Sequence, residues 1–276
     1  MEHLTDCHTH TWYSGDGRCS VGELCTAAHG VGLAAVAITD HFDYAADGGR
    51  EAEWDLRAEM RRRELERAQE SWAGRLEILR GIEIGQPHWN PEDSRKLANC
   101  GDFDLVIGSI HDLRPGKRIY HDYDFSTVEV CDAMYEQFFD EAREMLRTCD
   151  FDVFGHYDYP LRKMDSGVVP PNMERWKAHM LPFLKELAQS GIALELNTSG
   201  LRRWMGKPGG EAWILETFRN FGGRRVTCGS DAHFPRHVGF GVRQVSAILR
   251  ENGFDKVTIY RQRKPVELSI CEKSGL

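Results

Sequence analysis

The sequence predicts an α/β fold in which strands and helices alternate and the sheet closes into a barrel. Three observations carry this expectation. Apolar runs of strand length recur along the chain, helix-length amphipathic segments lie between most of them, and polar residues of the same few types follow the runs. The runs are 33–39 (LAAVAIT), 76–84 (LEILRGIEI), 104–110 (DLVIGSI), 151–155 (FDVFG), 192–197 (IALELN) and 225–229 (RVTCG), with a further short strand before D-C-H-T-H at 6–10. So many alternations in one chain favour a closed parallel sheet over an open one.

The helices between the runs follow from spacing. Segment 127–148 sets Val128, Cys131, Met134, Tyr135, Phe138, Phe139 and Met145 three or four apart, with Ser126 or Thr127 as its opening cap. Segment 173–189 repeats the pattern and stops at Gln189-Ser190-Gly191. Segment 209–221 holds Trp213, Ile214, Phe218 and Phe221 and ends at Gly222-Gly223. Residues 50–72 are rich in charge and read as an exposed helix in the loop after the second strand. No linker, repeat or low-complexity stretch divides the chain, so a single domain over 1–276 is expected.

Composition excludes several classes of partner. The net charge is −8 with both signs interspersed, and no basic stripe suits a long nucleic acid. Eight scattered cysteines without a C-x-x-C pair fit a reducing cytoplasm better than a disulfide framework. No basic start leads into an apolar run, and no run approaches the roughly 20 residues of a membrane span, so a cytoplasmic protein away from membranes is expected.

The polar residues carry the chemistry. Six of the twelve histidines follow apolar runs: His8 and His10, His41 in T-D-H, His111 in G-S-I-H-D, His156 in G-H-Y-D and His233 in G-S-D-A-H. Glu83 closes G-I-E, and Asp231 precedes His233. Any one of these could be a hydrogen-bonded structural residue, and Asp231 alone could cap a helix. Packing does not ask for the same polar types at the same end of six strands, which in parallel folds is where chemistry gathers. Metal binding is the reading that joins them. Alternation along a strand would aim His8 and His10 into the barrel mouth and turn Cys7 and Thr9 toward the helices. Asp6, one step deeper, is expected to receive the second N–H of a ligating histidine. Imidazoles mixed with carboxylates suit zinc, iron or manganese, and the donors outnumber what one tetrahedral ion can use, so two or three divalent ions are expected.

Taken in order, D-C-H-T-H, S-G-D-G, T-D-H, G-I-E, G-S-I-H, G-H-Y-D and S-D-A-H resemble the polymerase-and-histidinol-phosphatase (PHP) family of metal-dependent hydrolases, from Asp6 to about Gly239. The resemblance implies a distorted (β/α)7 TIM-like barrel with a trinuclear centre. It implies one ion on His8, His10, Glu83 and Asp231, a second on His111, His156 and a bridging Glu83, and a third on Asp16, His41 and His233. Periodicity alone does not single out Asp16. The stretch L-E-L-N-T-S-G-L-R-R at 194–203 and an arginine after G-H-Y-D, here Arg162, are similar to the histidinol-phosphate phosphatase branch. That branch implies hydrolysis of a small phosphate ester, L-histidinol phosphate, by a hydroxide held between two ions. Arg162 and either Arg202 or Arg203 would bind the phosphate, Glu83 and Asp16 would serve the catalytic ions, and His233 or a water would protonate the leaving group. Asp43, Asp158 or Glu195 would supply an acidic rim for the cationic substrate. A nucleotide or short-oligonucleotide phosphoesterase is the alternative activity, separable by a substrate panel. A structural metal site is the alternative without catalysis, and the absence of a cysteine-rich ligand set speaks against it.

Overall fold

The computed structural model describes residues 4–49, 54–164 and 167–270. Seven parallel strands follow one another in space as in sequence: β1 (Thr5–Asp6), β2 (Ala35–Ile38), β3 (Glu77–Gly85), β4 (Leu105–Ser109), β5 (Val153–Phe154), β6 (Ala193–Asn197) and β7 (Val226–Gly229). A helix follows each: α1 (Val21–Gly30), α2 (Trp54–Trp72), α3 (Pro91–Ala98), α4 (Val128–Thr148), α5 (Lys177–Ser190), α6 (Ala212–Asn220) and α7 (Val242–Glu251). The ring closes between its last and first strands. Cys7 N–H donates to the Cys228 carbonyl at 2.8 Å, Asp231 N–H to that of His8 at 2.8 Å, and His10 N–H to that of Ala232 at 2.9 Å. The result is the expected seven-unit barrel.

Two layers of side chains explain the strand patterns. Val36, Ile38, Ile78, Ile82, Val106, Phe154, Leu194, Leu196 and Val226 face the helices in the larger core. Ala35, Ala37, Leu79, Leu105, Ile107, Val153 and Ala193 fill the barrel's interior. A C-terminal hairpin, β8 (Lys256–Arg261) with β9 (Lys264–Ser269), closes the bottom of that interior with Ile259 and Tyr260. The Tyr260 hydroxyl satisfies itself on the Asp152 carbonyl at 3.0 Å. Burying Ile259 in full contributes about 2 kcal/mol.

Helix starts obey local rules. Ser20 and Glu23 form a reciprocal capping box on α1, and Thr127 caps α4 by accepting from Val130 N–H. Gly191 ends α5 in the left-handed region at φ 79°.

Two expectations about orientation fail. First, Cys7 lies in the interior cluster with Ala35 and Ala37, and does not face the helices. The chain leaves regular pleating after Asp6, so Cys7 and His8 both turn inward and strict alternation does not carry from one to the other. Second, the charge-rich segment is not simply a solvated face. Residues 50–53 of it lie outside the described residues, but α2 buries Trp54, Arg61 and Leu65. Arg61 Nε donates to Asp40 Oδ2 at 2.6 Å, and its Nη2 donates to the Ile38 and Gly81 carbonyls at 2.6 Å each. A helix expected to be peripheral therefore reaches between two strands and holds the T-D-H motif.

Candidate metal centre

The site is built on strand ends, beginning with Glu83 on β3. Its carboxylate is fully buried and each oxygen faces a different set of groups. Oε1 accepts from Ser109 Oγ at 2.6 Å and meets His156 Nε2 at 2.7 Å and His111 Nε2 at 3.3 Å. Oε2 lies 3.2 Å from His8 Nε2, 3.5 Å from His10 Nε2 and 2.8 Å from His41 Nδ1. Asp231 Oδ1 is 3.5 Å from His10 Nε2 and 3.6 Å from His233 Nδ1. Asp16 Oδ2 is 3.1 Å from His233 Nε2 and 3.9 Å from His41 Nε2. All nine residues read from the sequence as metal ligands thus meet at the top of the barrel.

Their donor atoms form overlapping groups within 4.8 Å: His8, His10 and Asp231; His8, Glu83 and His156; His41, Glu83 and His111; His10, His41 and His233. The first falls within one set that the family resemblance implies, whereas the second and the last each join residues that it assigns to different ions, His8 with His156 and His10 with His41 and His233. The third mixes them too, because His41 sits against Glu83 as well as near Asp16.

The fold leaves atoms here that an additional group would satisfy. His8 Nε2, His10 Nε2, His41 Nδ1 and Glu83 Oε2 are buried, converge on one spot, and have no hydrogen-bond partner. Each such atom costs about 1–3 kcal/mol, and divalent cations would engage them through lone pairs. The donor set of neutral imidazole and carboxylate fits such an ion.

Outer contacts fix how the imidazoles point. His8 Nδ1 donates to Glu195 Oε1 at 2.7 Å, His111 Nδ1 to Asp43 Oδ1 at 3.1 Å, and His10 Nδ1 pairs with Ser14 Oγ at 3.0 Å. Ser14 Oγ also donates to Asp40 Oδ1 at 3.0 Å, so the Arg61–Asp40 pair supports His10 through one serine. Gly229 is needed beneath His8, because a Cβ there would overlap His8 Cβ and Glu195 Oε1. Asp231 itself takes a left-handed φ of 54°, which aspartate tolerates better than most residues, and it caps no helix, since α7 starts at Val242.

Electrostatics keep the two central carboxylates charged. Burial pushes Glu83 up, but the charges of His8, His41 and His111 outweigh it and hold the group well below the usual range. Asp231 behaves likewise, with His10, His8 and Arg162 overcoming burial. Burial pulls His41 down, yet Glu83 beside it brings the imidazole to about 9. His10 goes the other way, to about 3, because burial and then the charges of His41 and His233 oppose its protonation.

Two sequence expectations need correction, and a third residue, Arg162, has partners that the sequence did not disclose. Asp6 serves no imidazole. Its oxygens accept backbone N–H groups of Ser230 at 2.8 Å, Gly239 at 2.8 Å and His8 at 3.4 Å, bracing the barrel seam, and the ring partner of His8 is Glu195. Glu195 and Asp158 do not form a rim, being 1 % and 2 % exposed. Asp43 does reach the mouth, with its side chain 44 % exposed. Arg162 is 6 % exposed and held between Asp231 Oδ2 at 2.7 Å and Asp158 Oδ1 at 3.1 Å, so much of its charge is already countered.

The metal groups form the floor of a cleft of about 810 Å³, a size that takes a small ligand. Arg162, Arg202 and Arg203 all line it. Arg202 Nη2 donates to the Ser230 and Asp231 carbonyls at 2.7 and 3.2 Å while its Nη1 has no partner, and Arg203 is exposed at the rim. A further part of the wall comes from residues that sequence reasoning did not single out: Asp112, Arg118, Tyr120 and His121 from the segment before α4, and Tyr159. Tyr120 and Tyr159 stack at 4.3 Å with an 8° tilt. The only sequence signal for Tyr120 and His121 is the aromatic and charged run I-Y-H-D-Y-D at 119–124, which has no strand end to mark it, whereas Asp112 and Tyr159 directly follow G-S-I-H and G-H-Y-D.

Relatives place the geometry in a family. The PHP domain matches residues 6–199, well over half the chain. A Deinococcus radiodurans protein named "Probable histidinol-phosphatase" is 29 % identical over 96 % of this chain and 99 % of its own. The Lactococcus lactis "Histidinol-phosphatase" is 22 % identical over 94 % and 95 %. The crystal structure of the Lactococcus lactis histidinol phosphate phosphatase, complexed with zinc, L-histidinol and phosphate, superposes with a TM-score of 0.80 at 20 % identity, covering 96 % of this chain and 99 % of that one. On the match of motif order and barrel alike, the chain belongs to the PHP family.

Proposed function

We propose that this chain hydrolyses L-histidinol phosphate to L-histidinol and phosphate, using two or three divalent ions of zinc, iron or manganese. The observation that carries the reading is Glu83, a buried carboxylate with imidazoles on both oxygens, of which His41, His111 and His156 line a cleft that Arg162, Arg202 and Arg203 also line. Relatives that span the chain end to end and carry the histidinol-phosphatase name support the substrate.

His8, His10, Asp231 and Glu83 would hold one ion, His111, His156 and Glu83 a second, and Asp16, His41 and His233 a third. Bound ions would supply Lewis acidity and a nucleophilic water at neutral pH. The chain's own residues do the rest. Glu195 and Asp43 fix the tautomers of His8 and His111 so that Nε2 of each faces Glu83 with its lone pair. Arg202 and Arg203 bind phosphoryl oxygens, and Arg162 adds charge behind Asp231. His233 directs Nδ1 toward the Asp231 carbonyl at 3.1 Å and Nε2 toward Asp16. That geometry suits a ligand better than an acid, so water entering the cleft protonates the leaving alkoxide.

The test is phosphate release from L-histidinol phosphate and from a nucleoside 3′,5′-bisphosphate by the metal-loaded protein. Preference for histidinol phosphate is expected. Turnover of the bisphosphate alone would move the chain to nucleotide chemistry, and no turnover of either would remove the phosphatase reading.

A further inference from the structure

Part of the cleft wall belongs to a segment with little regular structure. It runs from His111 to Phe125 and contains one small ribbon, Asp112–Leu113 paired with Lys117–Arg118. It nevertheless presents Asp112, Arg118, Tyr120 and His121 to the cleft. A loop of this length needs a built anchor to hold side chains in place.

Such an anchor lies behind it, outside the metal site. Glu141 projects from the middle of α4 and is 5 % exposed. Its Oε1 accepts the Arg114 backbone N–H at 2.9 Å, from the turn of the ribbon, and Gln137 Nε2 at 2.8 Å. Its Oε2 accepts from His88 Nε2 at 2.7 Å and Trp89 Nε1 at 3.3 Å. The Arg114 side chain closes the circuit, donating to the His88 carbonyl at 3.1 Å and to both oxygens of Glu144 at 2.6 and 2.9 Å. One carboxylate therefore joins the ribbon to α4 and to the turn after β3, the strand that carries Glu83.

The other end of the segment is held at the site. His111 N–H donates to Gln86 Oε1 at 2.7 Å, and Ile119 N–H returns to the His111 carbonyl at 3.1 Å. Gln86, Pro87, His88 and Trp89 are consecutive, so a single turn carries both the Gln86 contact and the Glu141 contact. We infer that Glu141 is a positioning residue that sets the cleft wall carrying Asp112, Arg118, Tyr120 and His121, and through it the fit of the ester's leaving group. This rests on the reading that the cleft hydrolyses a phosphate monoester.

Glu141→Gln discriminates, because the amide is the same size and cannot serve both sides. With its oxygen kept on Arg114 N–H and Gln137, the new NH2 opposes Trp89 Nε1–H and makes His88 move its proton to Nδ1. That atom is buried with no partner. The metal-loaded variant should raise KM for L-histidinol phosphate by about three- to tenfold while kcat stays within about twofold. Metal content should equal that of the wild type. Amide hydrogen exchange should quicken over 112–123 and stay unchanged over β3 and β6. His88→Gln retains a donor toward Glu141 and should lie near the wild type, whereas His88→Leu should resemble Glu141→Gln.

Unchanged KM and exchange in Glu141→Gln would overturn the inference. So would a joint fall in kcat, metal content and melting temperature, which would make Glu141 a general support of the fold. The exchange arm needs no substrate, so a wild type inactive on histidinol phosphate would strike the functional reading and leave the anchoring of the wall separately readable.

Discussion

Replacing Glu195 by glutamine alters one atom of a fully enclosed carboxylate, and its consequence can be followed bond by bond. Oε1 takes the Nδ1–H of His8 at 2.7 Å, and Oε2 takes His156 N–H at 2.7 Å and Asn197 Nδ2 at 3.1 Å. Glutamine offers one oxygen and one NH2. The oxygen belongs where two donors converge, beside His156 and Asn197, so the NH2 meets His8 Nδ1. His8 must then carry its proton on Nε2, the atom that faces Glu83 at 3.2 Å and would hold an ion. Loss of such an outer partner weakens metal binding about ten- to hundredfold, or about 1.4–2.7 kcal/mol.

The assay is chelator competition with zinc, run beside phosphate release on the same preparations. Asp6→Asn is the control, because Asp6 meets only backbone N–H groups in the described hydrogen bonds. It should lower stability by about 1–3 kcal/mol through a donor facing Gly239 N–H, with metal affinity retained. Zinc affinity and turnover that survive Glu195→Gln, or that fall with Asp6→Asn at unchanged stability, would refute this assignment of the imidazole's partner.

Other expectations follow from the same contacts. Arg61→Met strands the buried Asp40 carboxylate and should cost about 3–5 kcal/mol in a denaturant melt; a loss below 1 kcal/mol would return α2 to the status of a peripheral helix. Arg203→Ala removes an exposed cation from the rim and should raise KM for histidinol phosphate by about three- to tenfold at constant metal content, and unchanged kinetics would leave the phosphate to Arg202. Metal uptake should be linked to pH. Against the pull of burial, Glu83 holds His41 at about 9, and Glu195 and Asp43 likewise raise His8 and His111. These imidazoles are protonated below their raised values, so affinity should strengthen as pH rises toward 9 and weaken as it falls, with protons released on binding. Calorimetry in buffers of different ionisation enthalpy measures that release, and a pH-independent uptake would contradict it.

What could be read from the amino acids alone divides along a physical line. Strands buried on both faces leave apolar runs, which is why β2, β4, β5, β6 and β7 fall within the expected segments and β3 passes the end of its segment by one residue. Helix α4 was legible through its stripe and Thr127 cap. Helices α1, α3 and α7 were not read from the sequence, although Ser20 and Glu23 spell out the cap of α1; at eight to ten residues each also needs tertiary packing to settle it. The metal-binding candidates were legible because each follows a strand, with Asp16 supplied by family resemblance alone. Their partners were not. Whether Asp6 or Glu195 meets His8 depends on two residues 187 positions apart and on a loss of pleat after Asp6, and neither leaves a local mark. Arg162 illustrates the same limit, since a cation after G-H-Y-D lines the cleft as a phosphate contact would, but its pairing with Asp158 and Asp231 leaves no local mark in the sequence.

The central claim is that cations gather on both sides of Glu83. Anomalous diffraction at the zinc edge from crystals of the zinc-loaded protein tests it most directly. Two or three peaks, with Glu83 oxygens reaching at least two of them and His8, His10, His41, His111, His156 and His233 around the set, are the predicted result. A lone peak, or peaks lying away from Glu83, would contradict the account.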